Sequence, residues 1–425
     1  MNMKKVIAVI MAGVMTAGFV TGCGQSSKSK STKDGKVQLE IFSTKPESAK
    51  TLQGLIDKFM KEHQDISISL TSQADAGTIL KTRLTKNDIP DIIAMGGDAT
   101  YTELQSAGVL LDLSDSGFTE KVQESYLQMV YDVNKDEEKK AYGIPYATNA
   151  SGVIYNKDIF EEAGVKVPKT WTEFMEVCEK LKAAGYTPFE LTYADAWCGL
   201  PAWNSMATVI PEKGFTDARK KGETTFADTH KEVMEKYLKI LNYAQEGFLG
   251  TTYNDGNAAF AKGNAAMSIQ GNWAISEYIK TNKDINIDMF AFPSTDKADS
   301  NTVTSGVDVL MAVSNQASEE QQEAGKKFIE FMLAQENAKQ YIEEQFAFSA
   351  VKGVEQDNET VAGLKKDIAE GRVSNFPDHY YPSGYDLAAI LQECALNFTN
   401  GMSEQENIAA TLKLCDEQYD AANVE

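Results

Sequence analysis

Hydrophobic and polar positions alternate through Val37-Gln-Leu-Glu-Ile-Phe42, the period-two pattern of a strand with one covered face. Over residues 47–63 the apolar positions fall at helical spacing instead. Residues 66–70 read as the next strand, 78–84 as a helix, 91–95 as a β-rich apolar run and 101–107 as a helix. Strands that take turns with helices of this length predict α/β layers around a mostly parallel sheet. The charged segment 132–140 interrupts the pattern. Asp132, Asn134 and Asp136 have the spacing of a calcium loop, but the sixth position is Glu137 where glycine is needed, and the twelfth is Gly143 where glutamate is needed. A solvated hairpin tip is the reading that follows. Beyond Tyr142, strands at 152–155, 266–269, 287–290 and 307–313 alternate with helices, and the last third is mainly helical. Helix starts are marked by capping-box spacing at Thr170/Glu173, Ser318/Gln321 and Ser403/Glu406. No internal repeat of fixed period is evident.

The amino terminus changes the picture. A basic Met1-Asn-Met-Lys-Lys5 precedes an uncharged apolar stretch, 6–20, too short to be a typical membrane span and suited to a signal-peptide core. Val20-Thr-Gly-Cys23 resembles a bacterial lipobox, which implies cleavage after residue 22 and lipidation of Cys23. Two acyl chains bury enough methylenes, at roughly 0.8 kcal/mol each, to hold a domain at a membrane surface. Residues 23–35 contain no apolar side chain beyond Cys23 and read as a flexible tether. The remainder is too long for one ordinary core and suggests two domains.

The full chain carries 41 basic and 62 acidic residues. Loss of Lys4 and Lys5 with the leader leaves 39 against 62, a net charge of −23. So acidic a surface excludes nucleic acid and anionic lipid as electrostatic partners. Cys178, Cys198, Cys394 and Cys415 are too widely spaced for a zinc site. They read as buried thiols, with a Cys394–Cys415 bridge left open.

Three segments together carry a family resemblance: Ile144-Pro-Tyr-Ala-Thr-Asn-Ala-Ser-Gly-Val-Ile-Tyr-Asn-Lys-Asp158 running on to Trp171; Phe260-Ala-Lys-Gly-Asn-Ala-Ala-Met267 with Gly271-Asn-Trp273; and Phe328-Ile-Glu-Phe331 followed by Ser349-Ala-Val-Lys-Gly353. In order and spacing they resemble extracellular solute-binding protein family 1, the carbohydrate receptors of ABC importers that include maltose-binding protein. The resemblance covers nearly the whole mature chain. It implies a two-lobed periplasmic-binding-protein-like α/β fold of class II with a hinge between the lobes. The first lobe would be 36–146 plus 303–348, the second 147–301 plus 350–425. It also implies a monomeric, extracytoplasmic receptor, lipid-anchored to the outer face of the cell membrane. Such a receptor is expected to trap a carbohydrate, an oligosaccharide, by hinge closure and deliver it to a permease, with no cofactor, no metal and no catalysis.

A sugar presents weakly polarised C–H faces and a rim of hydroxyls, so its receptor needs flat aromatic surfaces and planar donors or acceptors. At positions matching the family pattern, Trp273 is the first candidate for stacking, with Trp197 second and Trp203 as its competitor. Trp171 is better explained as a first-turn residue of a capped helix. Asp98, after the Gly96-Gly97 pair, can accept two hydroxyls or cap the following helix. Asn149 offers a donor and an acceptor where the chain first crosses between lobes. Ser43, Thr44, Lys45 and Glu47 follow the first strand, Asp308 interrupts an apolar strand, and Tyr380, Tyr381 and Tyr385 complete the candidates. A glycosidase using two carboxylates is the enzymatic rival, with Asp98 and Asp308 as the pair to consider. The three histidines are isolated, and neither a His-Glu-x-x-His nor a Gly-x-Ser-x-Gly motif occurs. A same-fold receptor for another solute, such as a polyamine, is the second rival, because the candidate site is acidic.

Overall fold

The computed structural model describes residues 32–423, apart from 34, 74–75, 135–138 and 383. The leader, Cys23 and most of the 23–35 tether therefore lie outside the described residues. Among the described residues eleven strands form one sheet: β1 Thr32–Lys33, β2 Lys36–Ser43, β3 Ile66–Ser72, β4 Ile92–Met95, β5 Ile144–Asn156, β6 Thr187–Glu190, β7 Ala265–Gly271, β8 Ile287–Phe290, β9 Val303–Val313, β10 Phe348–Ser349 and β11 Val373–Ser374. Its main path runs β1-β2-β4-β9-β5-β7-β6. β3 pairs with β2, β8 and β10 with β5, and β11 with β9.

The sheet is less parallel than the sequence predicts. Pairs β2–β3, β2–β4 and β6–β7 are parallel, as helical crossovers require. The spine is antiparallel, with β4–β9, β9–β5 and β5–β7 all running in opposed directions. The reason lies in the cores. β5 leaves one hydrophobic core and enters another, and β9 makes the return journey beside it. Tyr146 and Ala147 belong to the first core, Ala150 and Val153 to two others. On β9, Val303 lies in the third core and Val307 in the first. These two strands join two lobes. Beyond the crossing, β5 sends Ile154 and Tyr155 into different cores, as successive strand residues point to opposite faces. Later the chain touches both again: Phe348 packs in the third core, Ala350, Val351 and Val354 in the first, and Val361 in the third.

The predicted caps form. The Thr170 side chain accepts from Glu173 N and the Ser403 side chain from Glu406 N, while Ser318 and Gln321 make a reciprocal capping box. The expected hairpin tip centres on residues 135–138, which lie outside the described residues; Asp132 and Val133 before them end the helix Glu124–Val133, which buries Tyr126, Val130 and Val133 at spacings of four and three. Among the described residues no helix is long and apolar enough to cross a membrane.

Cys178, Cys198, Cys394 and Cys415 are all buried and free. Burial raises Cys198 and Cys394 to about 11 and Cys415 to about 12. Thiolate, the reactive form, is therefore scarce at neutral pH. A chain beginning at residue 32 should release no thiol to Ellman's reagent while native, and all four in concentrated guanidinium. Rapid reaction of the native protein, or fewer than four thiols on unfolding, would contradict this arrangement.

Candidate functional site

The two crossing strands are almost wholly buried. Of the 13 residues of β5 only Asn149 opens to solvent, and of the 11 of β9 only Asp308 does. These two positions meet. Asn149 Nδ2 lies 3.4 Å from Asp308 Oδ1, and Asn149 Oδ1 accepts from the Gly306 amide at 3.2 Å. Lys45, just past the end of β2, donates to the same Asp308 oxygen at 2.7 Å. The Lys45 amide donates to Ser43 Oγ at 3.1 Å, which turns the chain toward the pair. Lys45 and Asp308 keep 24% and 22% of their side-chain surface, so the pair is reachable but well shielded.

Two further carboxylates stand close. Burial works against the Lys45 charge, but Asp308, helped by Glu47 and Asp98, more than offsets it and holds the ammonium above the usual lysine range. Asp98 caps the helix Ala99–Ser106 by accepting from Thr100 N at 2.9 Å, so it has the capping role that its sequence position allows. Its loop is held against β9 by Gly97, whose amide donates to Val307 O at 3.1 Å. A Cβ on Gly97 would sit 3.0 Å from Val307 Cβ, so glycine permits the approach. Ser43, Lys45, Asp98, Asn149 and Asp308 are thus gathered at the crossing, and the charge of Glu47 adds to the field at Lys45.

Trp273 borders the same place. Gly271 pairs with Ser151, two residues beyond Asn149 on β5. The Gly-Asn-Trp sequence divides its labour there. The indole lies directly over Gly271, where any Cβ would collide with the ring. Asn272 is buried and ties two segments together, its Oδ1 accepting from Ala150 N at 2.7 Å and its Nδ2 donating to Phe346 O at 3.0 Å. Trp273 is left partly exposed, with Nε1 donating to Gln270 Oε1 at 3.2 Å.

Trp197 is 40% exposed, one of the few large apolar side chains that are. It packs on Tyr253 with ring centroids 5.0 Å apart. Burial pushes the Tyr253 phenol up to about 12. Trp203 is fully buried and stacks on His230 at 5.3 Å, so it is a core residue. Tyr381 and Tyr385 are not brought to the crossing. Their rings pack with Phe226 and Tyr419 at 5.5–5.9 Å, inside the second lobe. Tyr253, Asn272 and Gln270 escaped the sequence reading. Asn272 was visible inside Gly-Asn-Trp, but its role depends on a backbone partner 74 residues away. Among the described residues no group of acidic, histidine or cysteine side chains could hold a metal ion.

The family model for bacterial extracellular solute-binding proteins matches residues 43–339. The multiple sugar-binding protein of Streptococcus mutans is 30% identical over 368 residues, 84% of this chain and 85% of that one. The chain belongs to the bacterial extracellular solute-binding proteins. Among relatives of this solute-binding family, the melibiose/raffinose/stachyose-binding protein MelE of Bacillus subtilis is 22% identical over 95% of each chain. RafE of Streptococcus pneumoniae in its apo form covers 91% of this chain and 99% of its own, at 26% identity and a TM-score of 0.77. RafE in complex with raffinose matches at the same identity, over 90% of this chain and 100% of its own, with a TM-score of 0.72. This solute-binding protein is thus nearer in shape to the ligand-free form of RafE than to the occupied one.

Proposed function

We propose that this solute-binding protein is the extracytoplasmic receptor of an ABC importer for an oligosaccharide, which it traps at the β5/β9 crossing and presents to a permease. The observation that carries the reading is the meeting of Asn149 and Asp308, the sole solvent-open positions of two otherwise buried strands, within reach of Lys45. Hydroxyl-rimmed ligands need such planar amide and carboxylate groups, and Trp273 and the Trp197–Tyr253 pair supply the flat faces. The relatives support a sugar over other solutes, being receptors for melibiose, raffinose and stachyose or for multiple sugars. Residues 36–146 and 303–348 form the first lobe in this reading, and 147–301 and 350–425 the second. Closure is a hinge rotation about the crossing strands. The receptor works as a monomer and is held to the outer membrane face by lipid on Cys23.

Catalysis is not part of this reading. A glycosidase needs one carboxyl free to donate a proton and another free to attack or to activate water. Asp308 is ion-paired with Lys45 and Asp98 caps a helix, so each carboxylate has one oxygen committed to protein and one left to accept a sugar hydroxyl. Isothermal titration with raffinose, stachyose and melibiose, followed by chromatography of the recovered sugar, tests the proposal. Saturable binding with intact sugar is expected. Hydrolysis products would overturn it, as would failure of every oligosaccharide in a wider panel to bind.

A further inference from the structure

We propose that Asp308 is a specificity residue which, by neutralising Lys45, closes this cleft to acidic sugars. The inference rests on the carbohydrate-receptor reading above and narrows its substrate class to sugars without a carboxylate or phosphate. Lys45 is a basic side chain brought to the crossing, and its ammonium is committed to Asp308 Oδ1 at 2.7 Å. Glu47 and Asp98 lie near enough for their charges to act on it. Three carboxylates thus act on this one ammonium, so Lys45 presents no net positive charge to a ligand. The partial burial of the pair weakens solvent screening, so these charges are felt at short range.

An uncharged sugar meets no penalty from this arrangement. Asp308 Oδ2 and Asp98 Oδ2 accept no hydrogen bond from protein among the described residues, so each is open to a sugar hydroxyl. A uronate meets the opposite. Its carboxylate would be desolvated beside like charges, and the cation that should receive it is already paired. Asp308→Asn keeps the shape of the side chain and the bond from Lys45 to an amide oxygen, yet removes the countercharge. Lys45 then becomes available to an anion.

The test uses matched probes: raffinose and stachyose, and the same two sugars with the terminal galactose C6 hydroxymethyl oxidised to a carboxylate. Wild-type protein is expected to bind at least one neutral sugar and to bind its acidic counterpart at least 30-fold more weakly. In Asp308→Asn the neutral-to-acid ratio should fall at least tenfold, and in Lys45→Gln it should not fall. Circular dichroism and thermal melting check that each variant is folded, and the wild-type ratio stands without them. Equal wild-type affinity for both members of a pair would overturn the inference while leaving the receptor reading intact. An unchanged ratio in folded Asp308→Asn would do the same. If neither member of either pair binds wild-type protein, nor any sugar of the wider panel, the receptor reading itself fails and the inference with it.

Discussion

Replacing Trp273 with alanine should weaken oligosaccharide binding about 30-fold, the equivalent of roughly 2 kcal/mol for a binding hot spot. Truncation removes the flat face beside the crossing and leaves Asn149, Asp308 and Lys45 in place. Because the indole also covers Gly271 and packs on the third core, some loss of thermal stability is expected as well. Titration calorimetry well below the melting point separates the two effects. Tyr381→Phe serves as the comparison, since that ring lies in the second lobe's interior. It should bind sugar as wild-type does. Unchanged affinity in a folded Trp273→Ala would remove the tryptophan from the site.

The largest pH effect should come from His230. It is fully buried between Trp203 and Phe215, and burial pulls its pKa down from 6.5 to about 3. The native state therefore resists a proton that the unfolded chain accepts. By linkage the associated stability is complete above pH 6.5 and is lost as the pH falls toward 3, by on the order of 4 kcal/mol over the whole window. Glu190 acts in the opposite sense. Burial pushes it up to about 7, so its native state holds a proton that the unfolded chain releases, and stability declines as the pH rises from 4.5 to 7. Between pH 7 and pH 4 the two contributions are similar in size and opposite in sign, so the urea midpoint of wild-type protein should move little on their account, while His230→Gln, left with Glu190 alone, should gain stability at pH 4 relative to pH 7. The same pH dependence in both would mean that His230 is not the proton sink.

Much of this architecture is legible in the residue pattern, because strands and capped helices are local. The alternation in 37–42 and the Ser318/Gln321 box each need only a handful of neighbouring residues. The antiparallel spine was not legible. It arises because β5 and β9 cross between lobes side by side, and period-two patterns carry no sign of strand direction. The helix Glu124–Val133 was readable from its spacing of Tyr126, Val130 and Val133, and the charged run behind it masked the signal. At the site, an aspartate in an apolar strand drew notice to Asp308. Its ion pair with Lys45 spans 263 residues, a contact that no local pattern encodes. Tyr381 and Tyr385 show the converse limit. A tyrosine reads alike in a cleft and in a core, and only the packing of Phe226 and Tyr419 around them decides.

A crystal structure of the protein with raffinose or stachyose bound is the most direct measurement. The sugar should lie between the lobes, with hydroxyls on Asn149 and Asp308 and a ring face on Trp273, and the lobes should be closer together than in the empty protein. Sugar found instead in the surface groove beside Ile408 and Leu412, a cavity of about 900 Å³ on the second lobe, with the β5/β9 crossing empty, would contradict that placement.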